Sequence, residues 1–235
     1  MDRISVFILT ITVLVANLLH AQPPDPYISY TVNPKTQHIA LYWKNDKGEP
    51  LRSLGNLKNY LALQKKRLVF GMNGGMYMTD NAPLGLFVQN GLQITWLNTR
   101  NGEGNFYMKP NGVLYITNAG KAVICRTENY TPDKHITFAT QSGPMLVIDG
   151  AIHPEFKKGS TRVNIRNGVG LLPDGKLLFA MSKGEVNLYD FALYFRDRGC
   201  KNALFLDGFV SRTYLPTKNC LQTDGDFGVM VGVWE

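Results

Sequence analysis

Histidine and cysteine are scarce in this chain, and that scarcity removes several kinds of chemistry at once. The four histidines, His20, His38, His135 and His153, are scattered, and no His-Glu-x-x-His pair exists, so hydrolysis at a histidine-held metal is not expected. The three cysteines, Cys125, Cys200 and Cys220, fit no zinc spacing. An odd count leaves at least one without an intrachain partner. Free buried thiols are the expectation, and any bridge would join Cys200 to Cys220. There is no Gly-x-Ser-x-Gly nucleophile elbow, no phosphate-binding Walker loop and no dinucleotide fingerprint. No nucleic-acid-binding module is present either. A second long apolar run is also missing, so only one segment is a candidate for a membrane or an export channel.

That segment is the N-terminus. Arg3 precedes an apolar run over residues 4–19, His20-Ala21 ends it on a small residue, and Gln22-Pro23-Pro24-Asp25-Pro26 follows. This is the layout of a secretory signal peptide over residues 1–21. The mature protein, residues 22–235, is then expected to be periplasmic or secreted, with no stable membrane anchor. Removing the leader takes one Arg and one Asp, so the net charge stays at +7. A basic exported protein suits an anionic partner, and a phosphorylated glycan is favoured over nucleic acid. With 44% hydrophobic and 18% charged residues the chain is globular.

Many of the 23 glycines fall in Asn-Gly or Asp-Gly pairs, which favours many strands and tight turns. Alternating apolar residues predict strands over 27–44, linked through Asn33-Pro34. Hairpins are predicted at Asn90-Gly91, Asn111-Gly112, Asp149-Gly150 and Pro173-Asp174-Gly175. Ser53 caps a predicted helix over 54–65 with Leu54, Leu57 and Leu61 on one face. Asn187 caps a second, with Leu188, Phe191, Ala192 and Phe195 on its apolar face and Gly199 as its stop. Val229 to Trp234 is a closing strand. No linker or repeat divides the chain. The expectation is one α+β, sheet-rich mixed domain over residues 22–235, with about two principal helices packed on its sheets.

Three apolar runs end in similar corners: Asn73-Gly74-Gly75, Gln141-Ser142-Gly143-Pro144 and Asp207-Gly208. Glycine-rich corners expose backbone N–H groups that can cradle an anion. Arg166 stands just before a strand and offers a planar fork that matches phosphate oxygens. Taken alone, an Asp-Gly corner reads first as an ordinary hairpin turn. Together, carboxylate, amide, hydroxyl and guanidinium form a set suited to glycosidic or phosphodiester bonds.

In order and spacing, Asn73-Gly-Gly-Met-Tyr77, Ala139-Thr-Gln-Ser-Gly-Pro144, Arg166-Asn-Gly-Val-Gly170 and Leu206-Asp-Gly-x-x-Ser211 resemble the phosphodiester glycosidase family, over roughly residues 65–235. The resemblance implies an exported hydrolase that cleaves a sugar-1-phosphodiester of an envelope or extracellular glycan at the sugar side. It implies Asp207 and Arg166 as catalytic residues, the first as general base or cation stabiliser, the second holding the phosphodiester. Asn73, Gly74, Gly75, Gln141, Ser142, Gly143, Gly208, Ser211 and Arg212 would bind substrate, with Ser182 a weaker candidate. A second carboxylate could be Asp80, Glu103 or Glu185. No cofactor or metal is expected; a divalent cation held by Asp and Asn oxygens is the lesser reading. The family often continues Asp-Gly-Gly-Gly-Ser-Ser, whereas here Phe209 and Val210 follow Asp207-Gly208, which implies a narrower or re-aimed pocket. The alternative function is a non-catalytic phosphoglycan-binding protein that keeps the pocket.

Overall fold

A computed structural model describes residues 25–235, so the predicted signal peptide lies outside the described residues. Among those residues there are two α-helices and sixteen strands, an α+β fold in three sheets. The six-stranded sheet runs, in spatial order, Tyr27–Val32, Leu177–Ser182, Asn167–Leu171, Asn202–Asp207, Met145–Ile148 and Ala151–Ile152. A five-stranded sheet runs Cys220–Leu221, Thr213–Leu215, Leu68–Gly75, Val229–Trp234 and His38–Tyr42. The other five-stranded sheet runs Leu92–Thr95, Phe87–Gln89, Ile136–Ser142, Gly112–Thr117 and Ala122–Arg126. Every pairing is antiparallel.

The three sheets close on one core. Phe70 and Met72, Leu114 and Ile116, and Val169, Phe179, Leu204 and Leu206 meet there, with relative exposures near zero. Successive strand residues point to opposite faces. Leu204 and Leu206 therefore enter this core, while Ala203 and Phe205 face the helix Leu188–Arg196 through Phe191 and Phe195. Each fully buried Phe or Leu contributes about 1.5–3 kcal/mol. The helix Leu54–Leu63 buries Leu54, Leu57 and Leu61 against Leu68, Tyr42 and Met230 of the other sheet.

Local chemistry explains most element ends. Ser53 accepts a hydrogen bond from Asn56 N at 3.1 Å, and Asn187 accepts one from Asp190 N at 2.9 Å, capping the two helices as the sequence predicts. Asn90 and Gly91 both have positive φ (53° and 78°), the geometry a two-residue hairpin needs. The predicted hairpin at Asn111-Gly112 does not form. Asn111 is buried and donates from Nδ2 to the Phe106 carbonyl at 2.9 Å, and the strand starts at Gly112, turning back only beyond Thr117. The strands on either side of Asn33-Pro34 belong to different sheets and do not pair with each other. The Asn73-Gly74-Gly75 corner also differs: the strand continues through Gly75, which pairs with Val229. A Cβ on Gly74 would lie 3.1 Å from Val231 N, so glycine here permits close strand approach. Cys200 and Cys220 are unpaired: Cys200 packs beneath Gly170, and Cys220 Sγ donates to the Thr213 carbonyl at 3.1 Å.

Candidate functional site

Three strands deliver polar side chains to one point in an otherwise apolar interior. Asn202–Asp207 ends in Asp207, which is buried at 7% exposure. Asn167 is its partner across the sheet, with a register shift just beyond it. Asn73 arrives from the neighbouring sheet, on Leu68–Gly75. Asp207 Oδ2 accepts from Asn73 Nδ2 at 3.1 Å, and Oδ1 accepts from the backbone N–H groups of Gly208 (2.6 Å) and Phe209 (2.9 Å). Asn73 Oδ1 in turn accepts from Asn167 Nδ2 at 2.7 Å and from Arg212 N at 3.0 Å. Asn167 Nδ2 also reaches the Asn73 carbonyl at 2.9 Å, while its Oδ1 is buried without a partner.

Burial raises the Asp207 pKa above its ordinary value, and the donors from Phe209, Gly208 and Asn73 oppose that rise without cancelling it. Tyr77 lines the same cleft. Its hydroxyl is pushed up to about 12, first by burial and then by the negative charges of Asp207 and Asp226.

Arg166 is buried next to Gly208, the residue after Asp207, without an ion pair among the described residues. Its backbone N–H donates to Ser182 Oγ (2.9 Å), its Nε to the Val186 carbonyl (2.7 Å) and its Nη2 to the Arg162 carbonyl (2.9 Å). The guanidinium lies 5.5 Å from the Phe205 ring centre. Nη1 makes no hydrogen bond to the described residues. Burial lowers the Arg166 pKa, yet a guanidinium remains charged in proteins. Gly208 has no positive φ; it is small because a Cβ there would lie 2.6 Å from the Phe205 ring and 3.2 Å from Arg166 Nη1. A buried, unpaired cation is costly unless something anionic balances it.

A cleft of about 390 Å³ opens onto Asp207, walled by Tyr77, Phe106, Tyr107, Val210 and Glu103. Of the three candidate second carboxylates, only Glu103 lines this cleft. Asp80 accepts from Ala82 N in a local turn, and Glu185 lies outside the cleft beside Val186. Phe209 stands at the rim with 93% exposure, so its ring does not fill the cleft. A larger groove of about 620 Å³ lies between His38–Tyr42 and Ile136–Ser142, but it holds neither Asp207 nor Arg166.

The remaining sequence candidates sit close by with their polar atoms engaged within the protein. Gln141 Oε1 accepts from Leu86 N (3.1 Å) and Asn98 N (2.8 Å), and its Nε2 donates to the Asn98 carbonyl (2.7 Å) and Thr127 (3.2 Å). Ser142 Oγ donates to the Leu206 carbonyl at 3.1 Å. Gly143 packs on Asn111 and Phe106. Ser211 Oγ bridges the carbonyls of Ile165 (3.1 Å) and Asp207 (3.3 Å). Arg212 is half-exposed and pairs with Asp224 at 2.9 Å. Thr140 Oγ1 donates to the Gly74 carbonyl at 3.3 Å, and a Cβ on Gly75 would meet that hydroxyl at 2.7 Å. Sequence reasoning missed Asn167 and Tyr77, although both lie within the quoted motifs. Among the described residues no three His, Cys, Asp or Glu side chains converge as a metal site, and no helix is long and apolar enough to cross a membrane.

Residues 66–230 match the phosphodiester glycosidase family. The chain is 39% identical over 195 residues to the uncharacterised Escherichia coli K12 protein YigE, spanning 81% of this chain and 76% of that protein. The fold is similar to the zebrafish N-acetylglucosamine-1-phosphodiester alpha-N-acetylglucosaminidase catalytic domain auto-inhibited by its pro-peptide. The TM-score is 0.56 and the identity 16%, over 92% of this chain and 85% of that one. A protein of Burkholderia pseudomallei K96243 gives a TM-score of 0.58 at 10% identity, over 88% and 73% of the two chains. At these identities the structural likenesses carry the fold alone.

Proposed function

This chain belongs to the phosphodiester glycosidase family, and from that premise we propose that it is an exported hydrolase of sugar-1-phosphodiesters in an envelope or extracellular glycan. The observation that carries the reading is a buried carboxylate, Asp207, at the end of a cleft; the buried guanidinium of Arg166, which lacks a carboxylate partner, packs against the adjoining Gly208. Export rests on the leader-like residues 1–21.

Asp207 is the general base. Its raised pKa brings it nearer to neutrality, where a base is both ionised and able to take a proton. It removes a proton from water as the water oxygen bonds to the anomeric carbon. The bond from that carbon to the phosphate oxygen breaks, and its electron pair leaves with a phosphomonoester. Phosphate is a stable leaving group, so this step needs little general-acid help. Asn73 and the Gly208 and Phe209 N–H groups hold the carboxylate in one orientation. The positive charge of Arg166 favours the phosphodiester and the charge developing on its oxygen. No step is assigned to a metal, and retention of turnover in EDTA checks that choice.

The test is product analysis on a panel of sugar-1-phosphodiesters. Free reducing sugar plus an intact phosphomonoester supports the reading, and release of sugar-1-phosphate would place the cleaved bond elsewhere and reject it. A second reading, a phosphoglycan-binding protein, is favoured by one observation: Glu103, the second carboxylate of the cleft, is exposed. Binding without turnover across the panel selects it.

A further inference from the structure

Apolar side chains gather around the mouth of the Asp207 cleft. Phe209 is 93% and Met78 45% exposed, and both line the cleft. Trp96, 83% exposed, lies with Met78 along a neighbouring groove. Val163 and Ile165 are exposed as well. They stand two residues apart in an extended segment, bridged at Asn164 to Val186, so their side chains point to the same face. Ser211 Oγ joins the Ile165 carbonyl (3.1 Å) to the Asp207 carbonyl (3.3 Å), which sets this segment next to the turn that carries Phe209. Single exposed apolar residues are ordinary, but five large ones about a single opening mark an interaction surface.

The same segment is strongly basic. From Phe156 to Pro173 there is no Asp or Glu, whereas Lys157, Lys158, Arg162 and Arg166 are positive. Lys157, Lys158 and Arg162 are exposed and in no ion pair among the described residues. Setting the flanking Glu155 and Glu185 against the exposed Lys157, Lys158, Arg162 and Lys183 leaves the balance positive. The turn that carries the two lysines is held at both ends. On one side His153 stacks on Phe156, ring centres 4.7 Å apart, and bonds the Lys109 carbonyl at 3.2 Å. On the other, Arg166 Nη2 donates to the Arg162 carbonyl at 2.9 Å. Between them Gly159, with φ of 73° and open space around it, lets the turn project from the surface.

One kind of surface matches both features. A bilayer of anionic phospholipid offers its acyl boundary to aromatic and aliphatic side chains and its headgroup charge to lysines in the same plane. A soluble polyanion uses the charge and leaves the apolar residues in water. The net charge of +7 adds long-range attraction to an anionic surface. We propose that the face around the mouth of the Asp207 cleft docks reversibly on a bilayer of anionic phospholipid. Trp96, Phe209, Val163 and Ile165 enter the headgroup boundary, and Lys157 and Lys158 meet lipid phosphates. Docking is read without substrate and does not depend on turnover at Asp207.

The experiment is co-sedimentation of the mature protein with vesicles of pure phosphatidylcholine and of a phosphatidylcholine–phosphatidylglycerol mixture. Binding to the mixed vesicles that weakens with salt is expected, with little binding to pure phosphatidylcholine. Lys157→Gln/Lys158→Gln and Val163→Ser/Ile165→Ser should each bind the mixed vesicles about tenfold more weakly. Lys35→Gln/Lys121→Gln removes the same charge beside the larger groove, around Gly120, and should bind as the wild type does. Brominated phospholipid should quench tryptophan emission in the wild type and not in Trp96→Phe. No binding to the mixed vesicles, equal binding to both vesicle types, equal losses from the two lysine pairs, or quenching unchanged in Trp96→Phe overturns the proposal. Binding to dextran sulfate but to no vesicle assigns the basic turn to a soluble polyanion and overturns it as well.

Discussion

Replacing Asn73 by alanine separates the part of the site that depends on the ionisation of Asp207 from the part that does not. The substitution removes the donor 3.1 Å from Asp207 Oδ2 and the acceptor 3.0 Å from Arg212 N, while Asn167 Nδ2 keeps the Asn73 backbone carbonyl at 2.9 Å. A hydrogen bond to a charged acceptor is worth about 1.5–3 kcal/mol, and a buried donor left unpaired costs about 1–3 kcal/mol. The variant is therefore expected to lose about 3–5 kcal/mol above neutral pH. Burial holds the folded Asp207 pKa above its unfolded value. Its contribution to stability is thus fully present below the unfolded carboxylate pKa and is lost as pH rises through the folded one. Removing a donor to the carboxylate raises the folded pKa further. The stability gap between wild type and variant should be smallest near pH 4 and widen by about 1.5–3 kcal/mol towards pH 8. Urea unfolding across that range, with ¹³C NMR titration of the Asp207 carboxyl, measures both quantities. A gap that does not vary with pH, or an Asp207 pKa that stays put or falls, refutes the argument.

Other outcomes follow from the same geometry. Gly208→Ala puts a methyl group 2.6 Å from the Phe205 ring and 3.2 Å from Arg166 Nη1; the expected effect is about 1–3 kcal/mol of destabilisation and a loss of turnover, read by denaturation and kinetics. Gln141→Leu leaves Leu86 N, Asn98 N and the Asn98 carbonyl without their partner, and a fall of about 3 kcal/mol or more in unfolding free energy is expected; wild-type stability would contradict the clamp. Arg166→Met removes an unpaired buried cation, so phosphate should lose its competition with substrate while thermal stability is kept or raised; unchanged phosphate inhibition would speak against an anion at this position. The acid limb of kcat/KM should lie above the ordinary carboxylate range, because burial raises Asp207.

Local chemistry was legible in the sequence where it acts over a few residues. The Ser53 and Asn187 caps, the Asn90-Gly91 hairpin and the buried face of Leu54, Leu57 and Leu61 each depend on neighbours within one turn. Asn111-Gly112 misled because the buried Asn111 amide bonds the Phe106 carbonyl, and nothing in the dipeptide distinguishes that from a turn. The site itself was harder to read. Asn73 meets Asp207 across 134 positions, and Asn167 meets Asn73 across 94, a convergence set by sheet packing and not by spacing. The motif polar groups of Gln141, Ser142 and Ser211 bond backbone within the protein. Tyr77 stands in a quoted motif, but only the fold brings its hydroxyl under the influence of Asp207.

The central claim is that the Asp207 carboxylate is the base for hydrolysis of a sugar-1-phosphodiester. The most direct measurement is kcat for the mature protein and for Asp207→Asn on the best sugar-1-phosphodiester of the panel, at matched folded fraction. A positioned general base is worth about 10²–10⁴ in rate. The account predicts a fall of at least a hundredfold in kcat with substrate binding retained. A wild-type kcat in Asp207→Asn would contradict it.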